Sequence, residues 1–103
     1  MSQENKVALV TGGARGIGRG ISRHLLDQGW RVVFCDVDSA AASNFLAQHS
    51  GTRDLYFVHA DVSVEAQVEQ ALGEAMVWAG RLDALINNAG LADPDNGPVE
   101  DLD

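Results

Sequence analysis

The sequence predicts an α/β protein built on a doubly wound parallel sheet, with helices on both faces in three layers. Short apolar runs, several of them rich in β-branched residues, alternate with longer segments of helical periodicity. The runs are continuous rather than interrupted at every second residue, which is typical of strands buried on both faces. A glycine-rich turn joins the first run directly to the first helical segment.

Strands are predicted over residues 7–10, 32–35, 55–58 and 82–86, because each is a short and mainly apolar run. A first helix is predicted over residues 16–28, where apolar residues recur at helical spacing and a glycine follows the last turn. The elements therefore begin with a strand, a helix and a second strand.

Ser39 is predicted to cap a second helix that runs to about His49, and Ser63 is predicted to cap a third helix that ends at Gly80. Helical crossovers of this length join parallel strands through right-handed connections. We therefore expect the strand order 3-2-1-4, with two helices on one face of the sheet and one on the other.

A doubly wound sheet normally has more than four strands, so the chain is predicted to be a single incomplete domain and a piece of a larger protein. The fourth strand would be a bare edge, and the face with one helix would be half covered. Residues 1–92 are assigned to the N-terminal part of this domain, and residues 93–103 to an acidic loop after the fourth strand.

The 103 residues carry a formal net charge of −8. This balance argues against nucleic acids and anionic membranes as partners, because both require basic patches. No apolar run reaches the ~18 residues of a membrane-spanning helix, and a secretory signal is not expected. The lone cysteine, Cys35, and the histidines have no metal-ligand spacing, so no metal is expected, and the cytoplasm is the expected location.

Residues 11–18, which read Thr-Gly-Gly-Ala-Arg-Gly-Ile-Gly, predict a phosphate-binding turn. Backbone N–H groups point outward at a helix N-terminus, and the helix dipole favours negative charge there. Gly12 would allow the turn, Gly16 would let the backbone approach a pyrophosphate, and Gly18 would let the helix pack against the strand. The spacing is neither Gly-x-Gly-x-x-Gly nor that of a P-loop, and a glycine turn without a ligand is the alternative.

Asp36 directly follows the second strand, where an acid can accept hydrogen bonds from an adenosine ribose. A carboxylate there attracts the 2′-hydroxyl of NAD and repels the 2′-phosphate of NADP. Arg15 opposes this preference, because a cation in the glycine turn could reach a 2′-phosphate. We expect NAD to be preferred over NADP, since Asp36 is expected directly at the ribose.

With further motifs the sequence resembles the short-chain dehydrogenase/reductase family. Residues 11–18 are similar to the family's Thr-Gly-x-x-x-Gly-x-Gly turn, and Asp61 followed by Val62 is similar to its adenine-contacting aspartate. Residues 80–90 lead through the fourth strand into Asn-Asn-Ala-Gly, another family motif. The resemblance covers residues 6 to about 90 and implies a Rossmann fold.

The resemblance implies a role for each cofactor-binding position. The turn would surround the pyrophosphate and the adjoining ribose, Asp36 would hold the adenosine ribose, and Asp61 would meet the adenine amino group beside Val62. Asn88 would support the sheet and pass close to the cofactor together with its two small neighbours. The implied set is Gly12, Arg15, Gly16, Ile17, Gly18, Asp36, Asp61, Val62, Asn88, Ala89 and Gly90.

The family's catalytic Ser and Tyr-x-x-x-Lys are missing from this chain. Its only tyrosine, Tyr56, has no lysine four residues later, and its only lysine, Lys6, precedes the first strand. No residue is therefore assigned a catalytic role, and the chain alone is expected to have no turnover. The resemblance implies a parent NAD(P)-dependent oxidoreductase that acts on a small alcohol or carbonyl compound and forms a homo-oligomer.

Two other functions stay open on the sequence alone. A non-catalytic dinucleotide-binding protein, or a truncated inactive fragment, would contain every motif present here. An S-adenosylmethionine-dependent methyltransferase also has a glycine turn and an acid after the second strand, although the Asn-Asn-Ala-Gly motif argues against it.

Overall fold

The computed structural model describes residues 5–88. The elements, in chain order, are β1 (Val7–Thr11), α1 (Gly16–Asp27), β2 (Arg31–Asp36), α2 (Ser39–Gln48), β3 (Leu55–His59), α3 (Glu65–Ala79) and β4 (Ala84–Asn87). The four strands are parallel and lie in the order β3-β2-β1-β4, which confirms the predicted fold. The predicted acidic loop lies outside the described residues.

Continuous apolar sequence makes β1 and β2 the centre of the molecule, since every residue of β1 and nearly all of β2 are buried. On one face, Phe34 of β2 packs against α2, with its ring centroid 5.1 Å from that of Phe45. On the other face, Val33 packs with Ala71 and Ala75 of α3. Because α1 shares the first face with α2, two helices cover one face and one covers the other, as predicted.

Both predicted serine caps are wrong by about one residue. The N-cap of α2 is Asp38, whose carboxylate accepts the Ala41 N–H at 2.9 Å, so Ser39 is the first helical residue. The N-cap of α3 is Val64, which makes no side-chain cap bond. Ser63 is instead drawn back toward Asp61, which accepts both its N–H and its hydroxyl. The predicted end of α3 at Gly80 is confirmed.

The face that carries α3 is only partly covered by the described residues. Leu85 of β4 exposes 53% of its surface there. Beside it lies a largely apolar cavity of about 340 Å³, whose lining includes Leu9, Cys35, Val68 and Leu85. Within residues 5–88, β4 pairs with β1 alone. No helix in this part of the chain is long and apolar enough to cross a membrane.

Asp83 joins the start of β4 to the start of β1. Its Oδ2 accepts the Val7 N–H at 2.8 Å, and its own N–H donates to the Val7 carbonyl at 2.8 Å. The Arg81 guanidinium donates to both carboxylate oxygens, at 2.9 and 2.7 Å. Because a side chain takes the N–H of Val7, β4 begins at Ala84 and not at residue 82 as the sequence predicts.

Removing the charge of Asp83 should weaken the fold in a pH-dependent way. The hydrogen bonds from Arg81, and next the one from Val7, hold the pKa of Asp83 below its ordinary 3.8. A carboxyl with a lowered pKa in the folded state stabilises that state above its ordinary pKa, and this contribution is lost as the pH falls through the folded-state pKa.

We therefore expect Asp83→Asn to lower the denaturant midpoint at pH 7 of the protein expressed from its complete coding sequence (the full-length protein). The difference from wild type should narrow below pH 3.8, the ordinary pKa of the group. Guanidinium unfolding of both proteins at pH 7 and at a pH below 3.8 measures this difference in denaturant midpoint. A difference that stays constant across that range would contradict the role given to the carboxylate.

Candidate functional site

The sequence-predicted site residues that the structure describes lie at the carboxyl-terminal edge of the parallel sheet. The chain leaves β1 toward α1 on one face, whereas α3 on the other face leads into β4, the next strand beside β1. The helix that follows β1 and the helix that precedes β4 therefore lie on opposite faces of the sheet, although the two strands are neighbours. In open α/β sheets, ligands bind outside the carboxyl ends of the strands at such a switch point.

The turn between β1 and α1 has the backbone that its glycines predict. Gly12 and Gly16 have φ of +64° and +51°, a region that other residues adopt only with strain. Gly18 faces the turn so closely that a Cβ there would overlap the carbonyl oxygen of Gly12. The third glycine therefore packs the helix against the turn and against Asn88, rather than against a strand.

The N-terminus of α1 is open to an anion. Its N-cap, Arg15, is extended and makes no side-chain cap bond, and the first turn of α1 carries no acidic residue. The first N–H groups of a helix have no partner within the helix, and they carry its positive dipole end. With the close approach at Gly18, this donor set fits a pyrophosphate group.

Asn88 connects the end of β4 to the glycine turn. Its Nδ2 donates to the Gly12 carbonyl at 3.2 Å, and its N–H donates to the Thr11 hydroxyl at 2.8 Å. The Thr11 hydroxyl in turn donates to Asn87 Oδ1 at 3.0 Å. The Oδ1 of Asn88 is buried and has no hydrogen-bond partner within residues 5–88, so a donor for it must come from outside them.

Asp36 ends β2 beside the same turn. Its side chain is 2% exposed, and its Oδ2 accepts the Ala14 N–H at 3.2 Å. Its Oδ1 accepts the Asp38 N–H at 3.0 Å and lies 3.6 Å from Arg15 Nη2. The structure thus places side by side the acid that is expected to favour NAD and the arginine that is expected to favour NADP.

Asp61 and Val62 follow β3 at the same edge, since the Ala60 N–H donates to the Asp36 carbonyl at 3.2 Å. The Ser63 hydroxyl and N–H donate to the Asp61 carboxylate and hold its pKa below the ordinary value. Asp61 therefore remains a charged acceptor. Val62 lines the apolar cavity. Ala89 and Gly90 lie outside the described residues, so their places at the site stay predictions.

Two features of the site escaped the sequence analysis. A Cβ on Gly13 would lie 2.5 Å from the Phe34 Cβ, so this glycine is required by the packing of the turn on β2. Asp38 was given no part in the predicted site, although its Oδ2 lies 4.0 Å from Arg15 Nε. The double glycine after Thr11 signals the first feature, but only the folded chain places Asp38 beside Arg15.

Cys35 lies one residue before Asp36 and is 1% exposed. Burial first, and then the negative charge of Asp36, raise the pKa of its thiol to about 11, although a hydrogen bond from the Gly12 backbone opposes the rise. The thiol is therefore protonated at neutral pH. Because the thiolate is the reactive form, Cys35 should behave as an inert core residue.

We expect Cys35 to resist iodoacetamide at pH 7.5 in the folded full-length protein and to react readily after unfolding in guanidinium. Mass spectrometry of the peptide that contains Cys35 measures its modification separately from that of any other cysteine. Equal rates of modification in the folded and unfolded protein would contradict the assignment.

Comparison with known proteins places this geometry in a family. The family model described as short chain dehydrogenase matches residues 6–103. L-fucose dehydrogenase of Mus musculus is 41% identical over 95 residues, which are 92% of this chain and 34% of that protein.

Solved structures agree with the sequence relatives. A short chain dehydrogenase/reductase from Burkholderia phymatum in complex with NAD matches with a TM-score of 0.80 and 31% identity, over 85% of this chain and 32% of that one. The 3-ketoacyl-(acyl-carrier-protein) reductase from Brucella melitensis complexed with NADH matches with a TM-score of 0.78 and 34% identity, over 97% and 42%.

The chain thus spans about a third to two fifths of the length of these proteins. The match includes the glycine turn, the strand order and the Asn-Asn-Ala-Gly motif, and it extends over nearly the whole chain. The chain belongs to the short-chain dehydrogenase family.

Proposed function

We propose that the protein carrying this chain is an NAD(P)-dependent oxidoreductase and that residues 5–88 form much of its coenzyme site. The observation that carries the proposal is the uncapped N-terminus of α1 behind a glycine turn, with the buried carboxylate of Asp36 at its side. A nicotinamide coenzyme, when bound, exchanges a hydride with an alcohol or carbonyl substrate. The described residues bind and orient that coenzyme.

The proposed contacts follow from the positions of these residues at the carboxyl-terminal edge of the sheet. The N–H groups of Gly16, Ile17 and Gly18 receive the pyrophosphate, while Arg15 adds positive charge at the same end of α1. The buried acceptor of Asn88 takes a hydrogen bond from the coenzyme or from the chain beside it. The charged carboxylate of Asp61 accepts from the adenine amino group.

We propose a preference for NAD over NADP. Asp36 accepts hydrogen bonds from the ribose hydroxyls, and a hydrogen bond to a charged acceptor contributes about 1.5–3 kcal/mol. A 2′-phosphate at ~4 Å from this carboxylate would cost on the order of 4 kcal/mol per charge pair at an effective dielectric of ~20, before screening by salt. Two of the similar solved structures hold NAD or NADH, which is consistent with this choice.

Calorimetric titration of the full-length protein with NADH, NADPH and S-adenosylmethionine tests the proposal. We expect the tightest binding for NADH, weaker binding for NADPH and no heat with S-adenosylmethionine. The variant Asp36→Asn should weaken NADH and strengthen NADPH. If wild type binds neither nicotinamide coenzyme the proposal fails, and if it binds NADPH more tightly only the preference fails.

Residues 5–88 on their own are proposed to have no turnover. Tyr56 stacks on Trp78 with ring centroids 5.2 Å apart, on the face that carries α3. The Lys6 Nζ lies 5.7 Å from the Trp30 ring, near the amino ends of the strands and opposite the glycine turn. Neither is placed to move a proton at the site, so the general acid would come from another part of the protein.

The proposal extends to the setting of the protein in the cell. We propose a cytoplasmic location, a small alcohol or carbonyl compound as the substrate, and a homo-oligomeric assembly. The negative net charge and the membership of the family support these points.

A further inference from the structure

Arg15 lies between two carboxylates, of which the proposed function uses only one. Its Nη2 is 3.6 Å from Asp36 Oδ1, and its Nε is 4.0 Å from Asp38 Oδ2. Asp38 is itself fixed, because its Oδ1 accepts the Ala41 N–H at 2.9 Å and its own N–H donates to Asp36 at 3.0 Å. Its second oxygen therefore stays beside Arg15, whose side chain is 57% exposed.

We propose that Asp38 is a positioning residue that strengthens the preference for NAD by competing with a 2′-phosphate for the guanidinium of Arg15. This inference rests on the proposed coenzyme site. Arg15 lies at the N-terminal end of α1, where its side chain could turn toward a 2′-phosphate beside Asp36. To do so it must leave both carboxylates, and the charge of Asp38 makes that movement less favourable.

The variant Asp38→Asn removes the charge and keeps the helix cap, because asparagine caps a helix about as well as aspartate. We expect the affinity for NADPH to rise about threefold to fivefold, the range set by an exposed ion pair of up to about 1 kcal/mol, and the affinity for NADH to stay within about twofold. Calorimetry on the full-length protein measures both affinities, and an unchanged affinity ratio would overturn the inference.

A second pair of proteins decides whether the effect acts through Arg15. In a protein that already carries Arg15→Gln, Asp38→Asn should leave the NADPH affinity unchanged, because no guanidinium remains to be released. If the rise persists in that background, Asp38 repels the phosphate directly, and its role as a positioning residue is overturned.

Asp54→Asn is the matched control for charge. Asp54 lies 3.9 Å from Arg31 Nε at the opposite edge of the sheet, so its loss changes the net charge equally without touching Arg15. An equal rise in NADPH affinity would overturn the inference, because the effect would then come from the net charge. If the wild-type protein binds neither coenzyme, the proposed function is refuted. If it binds NADH normally but Asp38→Asn leaves the ratio of the NADPH and NADH affinities unchanged, only the role of Asp38 is refuted.

Discussion

Gly18→Ala is expected to destabilise the full-length protein by about 3 kcal/mol and to weaken coenzyme binding by about tenfold to a hundredfold. The new methyl group would overlap the Gly12 carbonyl oxygen and lie 2.5 Å from Asn88 Nδ2. The first of these contacts is with backbone, so the turn itself must move. Moving the turn would misplace the first N–H groups of α1, and losing one hydrogen bond to a charged phosphate costs about 1.5–3 kcal/mol, or about tenfold to a hundredfold in affinity.

Gly20→Ala is the matched control, because it adds the same methyl group to the same helix. A Cβ on Gly20 meets no atom within 4 Å among the described residues, and alanine favours the helix by about 0.5–1 kcal/mol over glycine. We expect this variant to melt at or above the wild-type temperature and to bind the coenzyme normally. Thermal unfolding and calorimetry compare the two variants, and equal behaviour would contradict the packing assigned to Gly18.

Asn88→Asp is expected to cost about 2–3 kcal/mol and to lower coenzyme affinity at the same time. The substitution replaces the Nδ2 donor with a carboxylate oxygen, which would face the Gly12 carbonyl at about the present 3.2 Å. Two acceptors would then oppose each other where a hydrogen bond had joined β4 to the glycine turn. Urea unfolding of the full-length protein measures the stability, and titration with NADH measures the affinity.

Asn87→Asp provides the comparison, since the same chemical change is made one residue earlier. The Oδ1 of Asn87 accepts a hydrogen bond from Thr11, and a carboxylate oxygen can accept it equally well. Asn87 is also exposed within residues 5–88, and the acceptor is kept, so we expect a change within about 0.5 kcal/mol. If Asn88→Asp were equally mild, the amide donor could not be what holds the turn to β4.

The doubly covered sheet could be predicted because β1 and β2 are continuous apolar runs, and the strand order because helical crossovers join the strands in the doubly wound plan. The glycine turn could be predicted because it needs positive φ angles at two positions, and few residues other than glycine adopt such angles without strain. The errors came where a side chain replaced a backbone partner: Asp83 takes the first N–H of β1, and Asp61 holds Ser63 away from its expected cap. The first contact joins residues 76 positions apart and depends on tertiary placement that residue spacing does not encode. The second is a local turn in which an aspartate side chain competes with helix capping.

The residues of the candidate site were predicted from motifs, but their mutual contacts were not. On the sequence alone, Asp36 favours NAD and Arg15 favours NADP. In the structure the two side chains lie 3.6 Å apart, and the carboxylate of Asp38 also lies beside Arg15. The proposed coenzyme preference therefore involves a group of three charges. Spacing along a chain reports which residues share a sheet edge, and it does not report which of them touch.

The bond between Asn88 and Gly12 also has a consequence for the order of events during synthesis. It joins residues 76 positions apart, so the turn cannot reach its final shape until the polypeptide has emerged from the ribosome through the end of β4. Contacts this distant along a chain form slowly, because a long loop must close first. A nascent chain that stops short of Asn88 should therefore lack the final shape of the proposed coenzyme site, even where its first two strands have already paired.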